Sequence, residues 1–453
     1  MSTLIKKVLI ANRGEIAVRI IRTLKDMNIK TVAIYSIVDK ESLHTKLADE
    51  AICIGPKDIR KSYLNKMQII NAALVTSCDA IHPGFGFLSE NASFAKLCEV
   101  YNIKFIGPTS KVIDLMGNKN LSKSTMEKAG LPLIPGSKGI LESLENAYDI
   151  AEKITYPIIL KARSGGGGKG MRVVRCKDDL EKSFNTAKKE AENSFGDPEI
   201  YMEKYLAKTK HIEVQILADE FNNIIHLGAR DCSLQMNHQK LVEEAPAYAI
   251  CDDLLNKLYE YTKKAVKYIS YTNAGTIEYL VDIEEQEVYF MEMNTRIQVE
   301  HPVSEMISGI DIVREQVNIA SHKKLNYKQN QVNLSGHAIE FRINAYDFDN
   351  NFLPSAGKIN ELNLPGGYGV RIDSGIYQGY EILPFYDSML MKVIAYASDR
   401  NKAISTMKRA MSELIIGGVK TNKKMYEEIL EDDNYLKGNI DTSYMESKYK
   451  KGV

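Results

Sequence analysis

No excess of either charge runs through the 453 residues: lysine plus arginine and aspartate plus glutamate stand at 59 each. A global field that would draw the protein to nucleic acid or to an anionic membrane is thereby excluded, although a local basic pocket is not. Cysteine is sparse and scattered. Cys53, Cys78, Cys98, Cys176, Cys232 and Cys251 include no C-x-x-C pair, so the spacing of a zinc or redox site is missing and reduced thiols in a cytoplasmic protein are the expectation. No apolar run approaches the roughly 18 residues that span a bilayer. The opening MSTLIKKVLIANRG also lacks a signal peptide's apolar segment and cleavage site. Long repeats and low-complexity segments are absent too, which leaves a soluble chain of about two to four domains.

What is there begins with KKVLIANRGEIAVRIIRTLKDMNIKTVAIYS: an apolar run, a polar loop, a helical pattern and a second apolar run. That order predicts a β-α-β unit of a parallel sheet. DAIHPGFGFLSEN ends another strand in a turn forced by Pro83, Gly84 and Gly86, so a first domain is expected over 1–114. A second organisation, 115–325, carries HIEVQILAD, NIIHLGARD, GTIEYLVD and EVYFMEMN as strands of a largely antiparallel sheet, interrupted by the helical DLLNKLYEYTKKAVKYI. Past the polar NYKQNQVNLSG, the strands GHAIEFRINA, GYGVRIDSGI and SMLMKVIAYA and a helix from Arg400 make a mixed α+β third domain, 335–443. The fold class is therefore α/β and α+β, three pieces in series.

Gly165, Gly167 and Gly170 match G-x-G-x-x-G, but MRVVR after them is a strand pattern, whereas a dinucleotide fingerprint opens a helix. A Walker loop fails as well, because Arg163 stands where its first glycine belongs. What remains is a hairpin tip free of side chains whose N–H groups can close over phosphates, with Lys161 on the strand leading in. A mobile surface loop is the alternative.

GTIEYLVDIEEQEVYFMEMN holds two β runs around a polar centre. A hairpin symmetric about Glu285 sets Glu278 against Glu292 and Thr276 against Asn294. Directly opposed side chains have Cβ atoms about 4.5–5.5 Å apart, and like charges there repel. A cation between them, or a raised pKa on one, relieves this. With Asn294 as a third oxygen donor, a hard divalent ion fits; a solvated hairpin whose glutamates swing apart is the alternative. Read as one alternating face, FMEMNTRIQVEHP continues through Arg296 and Gln298, a grip for a small anion, to Glu300, a general base. That set points to phosphoryl transfer to a small oxyanion.

The motifs IANRGEIA, HPGFGFLSEN, MGNK, KARSGGGGKGMR, YMEKYL, RDCS, HQKLVEEAPA, MEMNTRIQVEHPVSEMI, GHAIEFRINA and YDSML together resemble biotin carboxylase, an ATP-grasp enzyme, from residue 4 to residue 445. The resemblance implies a Rossmann-like N-terminal domain, an ATP-grasp domain with a mobile glycine-rich lid over about 132–204, and a C-terminal α+β domain. It implies that Lys119 and Lys161 touch ATP phosphates, that Gly167 and Gly168 belong to the flap closing over ATP, that Glu203, Lys204 and Leu206 receive the adenine with Tyr205 also binding ATP, and that His211 and His238 line the nucleotide site. Glu278, Glu292 and Asn294 would hold magnesium or manganese. Lys240, Arg296, Gln298 and the Val299 backbone would form a bicarbonate pocket, Glu300 would be the base, and Arg342 would steady the enolate-like oxygen of biotin. Bicarbonate would be activated as carboxyphosphate.

Against the family pattern, Phe85 stands where tyrosine is common, and Met236 and Asn237 replace two basic residues. No AMKM-like biotinylation motif is present. The expected partners are therefore a separate biotin carboxyl carrier protein, a separate carboxyltransferase and a second copy in a homodimer, with acetyl-CoA, propionyl-CoA or pyruvate as final acceptor. Another ATP-grasp carboxylate–amine ligase is the nearest rival, and a regulatory nucleotide-binding protein without turnover a second.

Overall fold

The computed structural model describes residues 5–163, 170–236, 239–350 and 352–449. Gly167, Gly168, Asn237 and His238 lie outside the described residues. The chain opens with β1 (Lys7–Ile10), α1 (Gly14–Asp26), β2 (Lys30–Ser36), β3 (Glu50–Gly55), β4 (Ala80–His82) and β5 (Lys104–Phe105). These strands pair in the order β3-β2-β1-β4-β5, all parallel. A parallel sheet is covered on both faces, which is why β1 is apolar without a break from Val8 to Ile10. Two loops at the carboxyl ends of β1 and β4 are tied together, since the Asn12 amide donates to the carbonyls of Pro83 (2.8 Å) and Phe85 (2.7 Å). Gly84 is required there: its φ is +63°, and a Cβ would lie 2.9 Å from the Asn12 amide nitrogen.

A small antiparallel sheet follows, with β6 (Ile158–Ala162) between β7 (Met171–Val174) and β8 (Ile200–Lys204). It has its own core around Leu160, Phe184 and Met202. The largest sheet begins with β9 (Thr209–Ala218), β10 (Ile224–Met236) and β11 (Gln239–Ala245). Helix α2 (Asp252–Tyr268) then interrupts, as its amphipathic pattern predicts, before β12 (Asn273–Asp282) and β13 (Glu287–Asn294). Helix α3 (His301–Ser308), β14 (His337–Asn344), β15 (Val370–Ser374), β16 (Met389–Ala397) and α4 (Arg400–Glu413) follow.

The sheet order is β13-β12-β9-β10-β11-β14-β16-β15, antiparallel at every pairing. The expectation of three pieces in series thus needs one amendment. Strands on either side of the polar segment near 326–336 share a single eight-stranded sheet, because β14 pairs the edge that β11 would otherwise leave open. One core accordingly packs Leu241 and Val242 of β11 with Phe341, Val393 and Met407. Another joins Ile16 and Ile20 of α1 to Leu217 and Ile297, so the N-terminal sheet is seated on the central one.

Candidate active site

Every residue of β9 is buried. Ile212, Val214 and Ile216 pack with Leu254 and Leu258 of α2, so the alternate residues His211, Glu213 and Gln215 face the other way. A polar strand face that is buried must find partners. Register supplies them: Glu213 is opposite Arg230 on β10 and Glu278 on β12, and Glu278 is opposite Glu292 on β13. Arg230, Glu213, Glu278 and Glu292 therefore form one row across four strands, with Gln215, Thr276 and Asn294 in the next.

The β12–β13 hairpin has the pairing that symmetry about Glu285 predicts at its site end, and a different one towards its turn. There Tyr279 is opposite Phe290, so Met291 is an extra residue on β13, a β-bulge. A second difference corrects the sequence reading. FMEMNTRIQVEHP is not one alternating face, because β13 ends at Asn294 and residues 295–300 are a loop leading into α3. The pleat aims Glu292 and Asn294; individual contacts aim the rest. Arg296 donates to Glu90 Oε2 (2.9 Å) and to Asn294 Oδ1 (2.7 Å). Gln298 donates to Glu278 Oε1 (2.6 Å) and accepts from Arg230 (2.5 Å). The Val299 carbonyl accepts from Lys392 (2.8 Å).

At the centre, the Lys240 ammonium contacts Glu213, Glu278 Oε1 (2.9 Å) and Glu300 Oε1 (2.8 Å). Arg342 takes the other oxygen of Glu300 at 2.9 Å and binds Glu243 at 2.6 Å. Burial alone would raise the Glu300 carboxyl, but Lys240, Arg342 and Arg230 outweigh it and hold it well below the usual range. Glu300 is thus ionised, able to accept a proton and unable to donate one. Glu278 is depressed in the same way, burial being outweighed by Lys240 and by His211, whose Nε2 lies 2.8 Å from Glu278 Oε2. Glu292 is open to the cavity, and the surrounding protein followed by the charge of Glu278 holds its carboxyl above the ordinary value. Burial also keeps the Cys232 thiol protonated, with Glu213 adding to the effect, so it packs and does not react.

These groups surround a cavity of about 1000 Å³ whose walls include Lys161, Lys204, Tyr205 and Leu206, the loop residues Arg296, Gln298, Val299 and Glu300, Phe85 and Arg342. Not every expected residue lines it. Lys119 is exposed at the start of the helix Lys119–Lys128 and stands outside, and the Glu203 carboxylate is bound by Lys161 (2.6 Å) and Lys123 (2.9 Å). Met236 is buried in the core with Leu241 and Phe341, so its departure from a basic residue is a packing choice.

Sequence reasoning missed Glu213, Arg230, Glu90 and Glu243. A signal for Glu213 existed, because HIEVQ alternates polar and apolar residues as the hairpin does; its pairing to β12 did not show. Within the described residues, ligand atoms of His211, Glu213 and Glu278 lie within 4.8 Å of one another. The in-register oxygens of Glu278 and Glu292 suit a hard divalent ion, and Lys240 seated among three carboxylates shows that this row demands positive charge. Asn294 presents its amide N–H to Glu278 (2.7 Å) and its oxygen to Arg296.

Comparison with known proteins gives matches along nearly the whole chain. Residues 4–113 match the biotin carboxylase N-terminal domain, residues 118–328 the ATP-binding domain of the carbamoyl-phosphate synthase L chain, and residues 340–447 the biotin carboxylase C-terminal domain. Biotin carboxylase 1 of Bacillus subtilis is 50% identical over 444 residues, covering 98% of this chain and 99% of the relative. A Campylobacter jejuni biotin carboxylase in complex with beta-gamma-ATP superposes with a TM-score of 0.90 at 49% identity, covering 98% and 99% of the two chains. The biotin carboxylase domain dimer of Hydrogenobacter thermophilus 2-oxoglutarate carboxylase, with MgADP, ADP and bicarbonate, superposes at 0.88 with 46% identity, covering 98% of each. With its three domain matches in order and half its residues shared with such relatives, the chain belongs to the biotin carboxylase family of ATP-grasp ligases.

Proposed function

We propose that this protein carries out the first half-reaction of a multi-subunit biotin-dependent carboxylase, the ATP- and bicarbonate-dependent carboxylation of biotin borne on a separate carrier protein. The observation that carries the reading is an ionised Glu300 between Lys240 and Arg342, at the end of a loop that begins beside the carboxylate row. In this reading Lys240, Arg296, Gln298 and the Val299 backbone hold bicarbonate. The two cations lower its pKa towards that of Glu300, which takes the proton. The freed oxygen attacks the γ-phosphorus of ATP as the bond to ADP breaks, giving carboxyphosphate. Its breakdown yields carbon dioxide and phosphate; phosphate removes the N1′ proton of biotin, and the nitrogen adds to carbon dioxide. Arg342 stabilises the oxygen that becomes enolate-like in that step.

Glu278, Glu292 and Asn294 would hold magnesium or manganese, which when bound offsets phosphate charge. Lys119 and Lys161 are assigned to ATP phosphates, Gly167 and Gly168 to the flap closing over ATP, Glu203, Lys204 and Leu206 to the adenine with Tyr205 also binding ATP, and His211 and His238 to the nucleotide wall. The functional division is 1–114, 115–325 with a lid at about 132–204, and 335–443. A carrier protein, a carboxyltransferase that selects the final acceptor, and a second copy of this chain are the proposed partners, and the cytoplasm the proposed compartment. No helix of the described residues is long and apolar enough to cross a membrane. Release of ADP tests the reading: it should require bicarbonate, rise with free biotin and accompany carboxybiotin. ADP release indifferent to bicarbonate overturns it in favour of another ATP-grasp ligase.

A further inference from the structure

Three neighbouring strands each send one cation towards the loop at 295–300. Lys240 of β11 and Arg342 of β14 hold the two oxygens of Glu300. The third is Lys392 of β16, in register with Arg342 on one side and with Asp373 of β15 on the other. Its side chain is 0% exposed, and its ammonium donates to the Val299 carbonyl at 2.8 Å. Glu15 Oε2 of α1 lies 3.3 Å away and Asp373 Oδ2 3.9 Å away.

A wholly buried lysine is rare because removing its charge from water is costly, and an apolar side chain would fill the space without that cost. Packing therefore does not account for it. Asp373 already has Arg371 as a bidentate partner, so neutralising that carboxylate does not require a second cation. Lys392 also offsets the buried carboxyls of Glu15 and Glu340, and to that its ammonium adds a donor to the Val299 carbonyl. A peptide unit is planar, so fixing that carbonyl fixes the plane between residues 299 and 300 and the direction in which the Glu300 side chain leaves the backbone.

We propose that Lys392 is a positioning residue: its hydrogen bond to the Val299 carbonyl sets the 299–300 peptide and thereby aims Glu300 and the anion grip at bicarbonate. The proposal rests on the bicarbonate reading above. Burial pushes the Glu15 carboxyl up to about 7, with Lys392 opposing, so Glu15→Gln makes a mild change next to Lys392 and leaves the bond to Val299 in place.

The test compares Lys392→Met, Glu15→Gln and the double variant in steady-state ADP release, with nucleotide affinity measured separately. Lys392→Met and the double variant should raise the bicarbonate KM about tenfold, equivalent to about 1.4 kcal/mol, while ATP affinity holds within about twofold, since the Val299 contact that is lost belongs to the anion grip and not to the residues assigned to ATP. Glu15→Gln should leave the bicarbonate KM near that of the parent. The double variant removes both members of the Lys392–Glu15 pair, and burial holds the Glu340 carboxyl well above its ordinary range, towards its neutral form, which keeps the comparison open if Lys392→Met alone does not fold. A normal bicarbonate KM in the folded double variant, or an equal loss of ATP and bicarbonate affinity, overturns the proposal. Parent ADP release that ignores bicarbonate is instead a failure of the functional reading, visible before any variant is made.

Discussion

Glu300 illustrates how position and charge are set by different neighbours. Its backbone precedes the first residue of α3, while its two oxygens are fixed by Lys240 and Arg342. Glu300→Gln should keep ATP binding and lower bicarbonate-dependent turnover by about 10²–10⁴-fold, the range for loss of a general base; turnover close to the parent would remove it from the mechanism. Arg342→Ala should reduce biotin carboxylation more than bicarbonate-dependent ADP formation, and equal losses would argue against a biotin-side role. Its fold should survive, because burial, against the pull of Arg342, already pushes Glu243 up to about 7 and the carboxyl can take a proton. Glu278 and Glu292 were legible because hairpin neighbours are also sequence neighbours. Glu213 and Arg230 were not, since β9 meets β12 only after α2 has intervened.

Among elements, β11 is held to α4 and β14 by one carboxylate. Glu244 accepts from Arg400 Nε (2.7 Å) and Nη2 (2.9 Å) and pairs with His337 Nε2 (2.8 Å). Burial opposes ionisation, yet His337 and Arg400 hold the carboxyl well below its ordinary 4.5. A folded value below the unfolded one means that the contribution is fully present above about pH 4.5 and is lost as pH falls towards the folded value. Glu244→Gln leaves Arg400 buried without its counter-charge, a cost of about 3–5 kcal/mol for a broken buried pair. Urea denaturation should show that gap near neutral pH and show it narrowing below about pH 4.5; a gap that widens in acid would contradict the assignment. Periodicity gave β14 and α4, because packing on one face imposes it, but not β11, whose QKLVEEA was not read as a strand. The loop at 295–300 escaped, since its alternation of buried and polar residues mimics a strand while side-chain contacts replace the ladder.

For the whole molecule, the joined sheet decides how the parts unfold. Cutting between β11 and β14 would expose two strand edges and divide the core shared by Val242, Phe341 and Met407. Calorimetry should therefore show the central and C-terminal portions melting in one transition, and a separate, earlier transition confined to residues beyond β14 would contradict the shared sheet. Composition and motifs revealed three parts; they did not reveal this union, because a strand's partner is unmarked when it lies far along the chain. The same sheet bears on distance. Arg342 on β14 is five strand steps from Glu292 on β13, roughly 24 Å on a flat sheet, yet both line one cavity. The Lys240 ammonium likewise reaches Glu278 three strands away. The sheet must curl like a cupped hand around the loop, and the gap between Glu292 and Arg342 depends on its radius of curvature. Every strand contributes to that radius, so a methyl group lost deep in the convex side can detune a reaction it never touches.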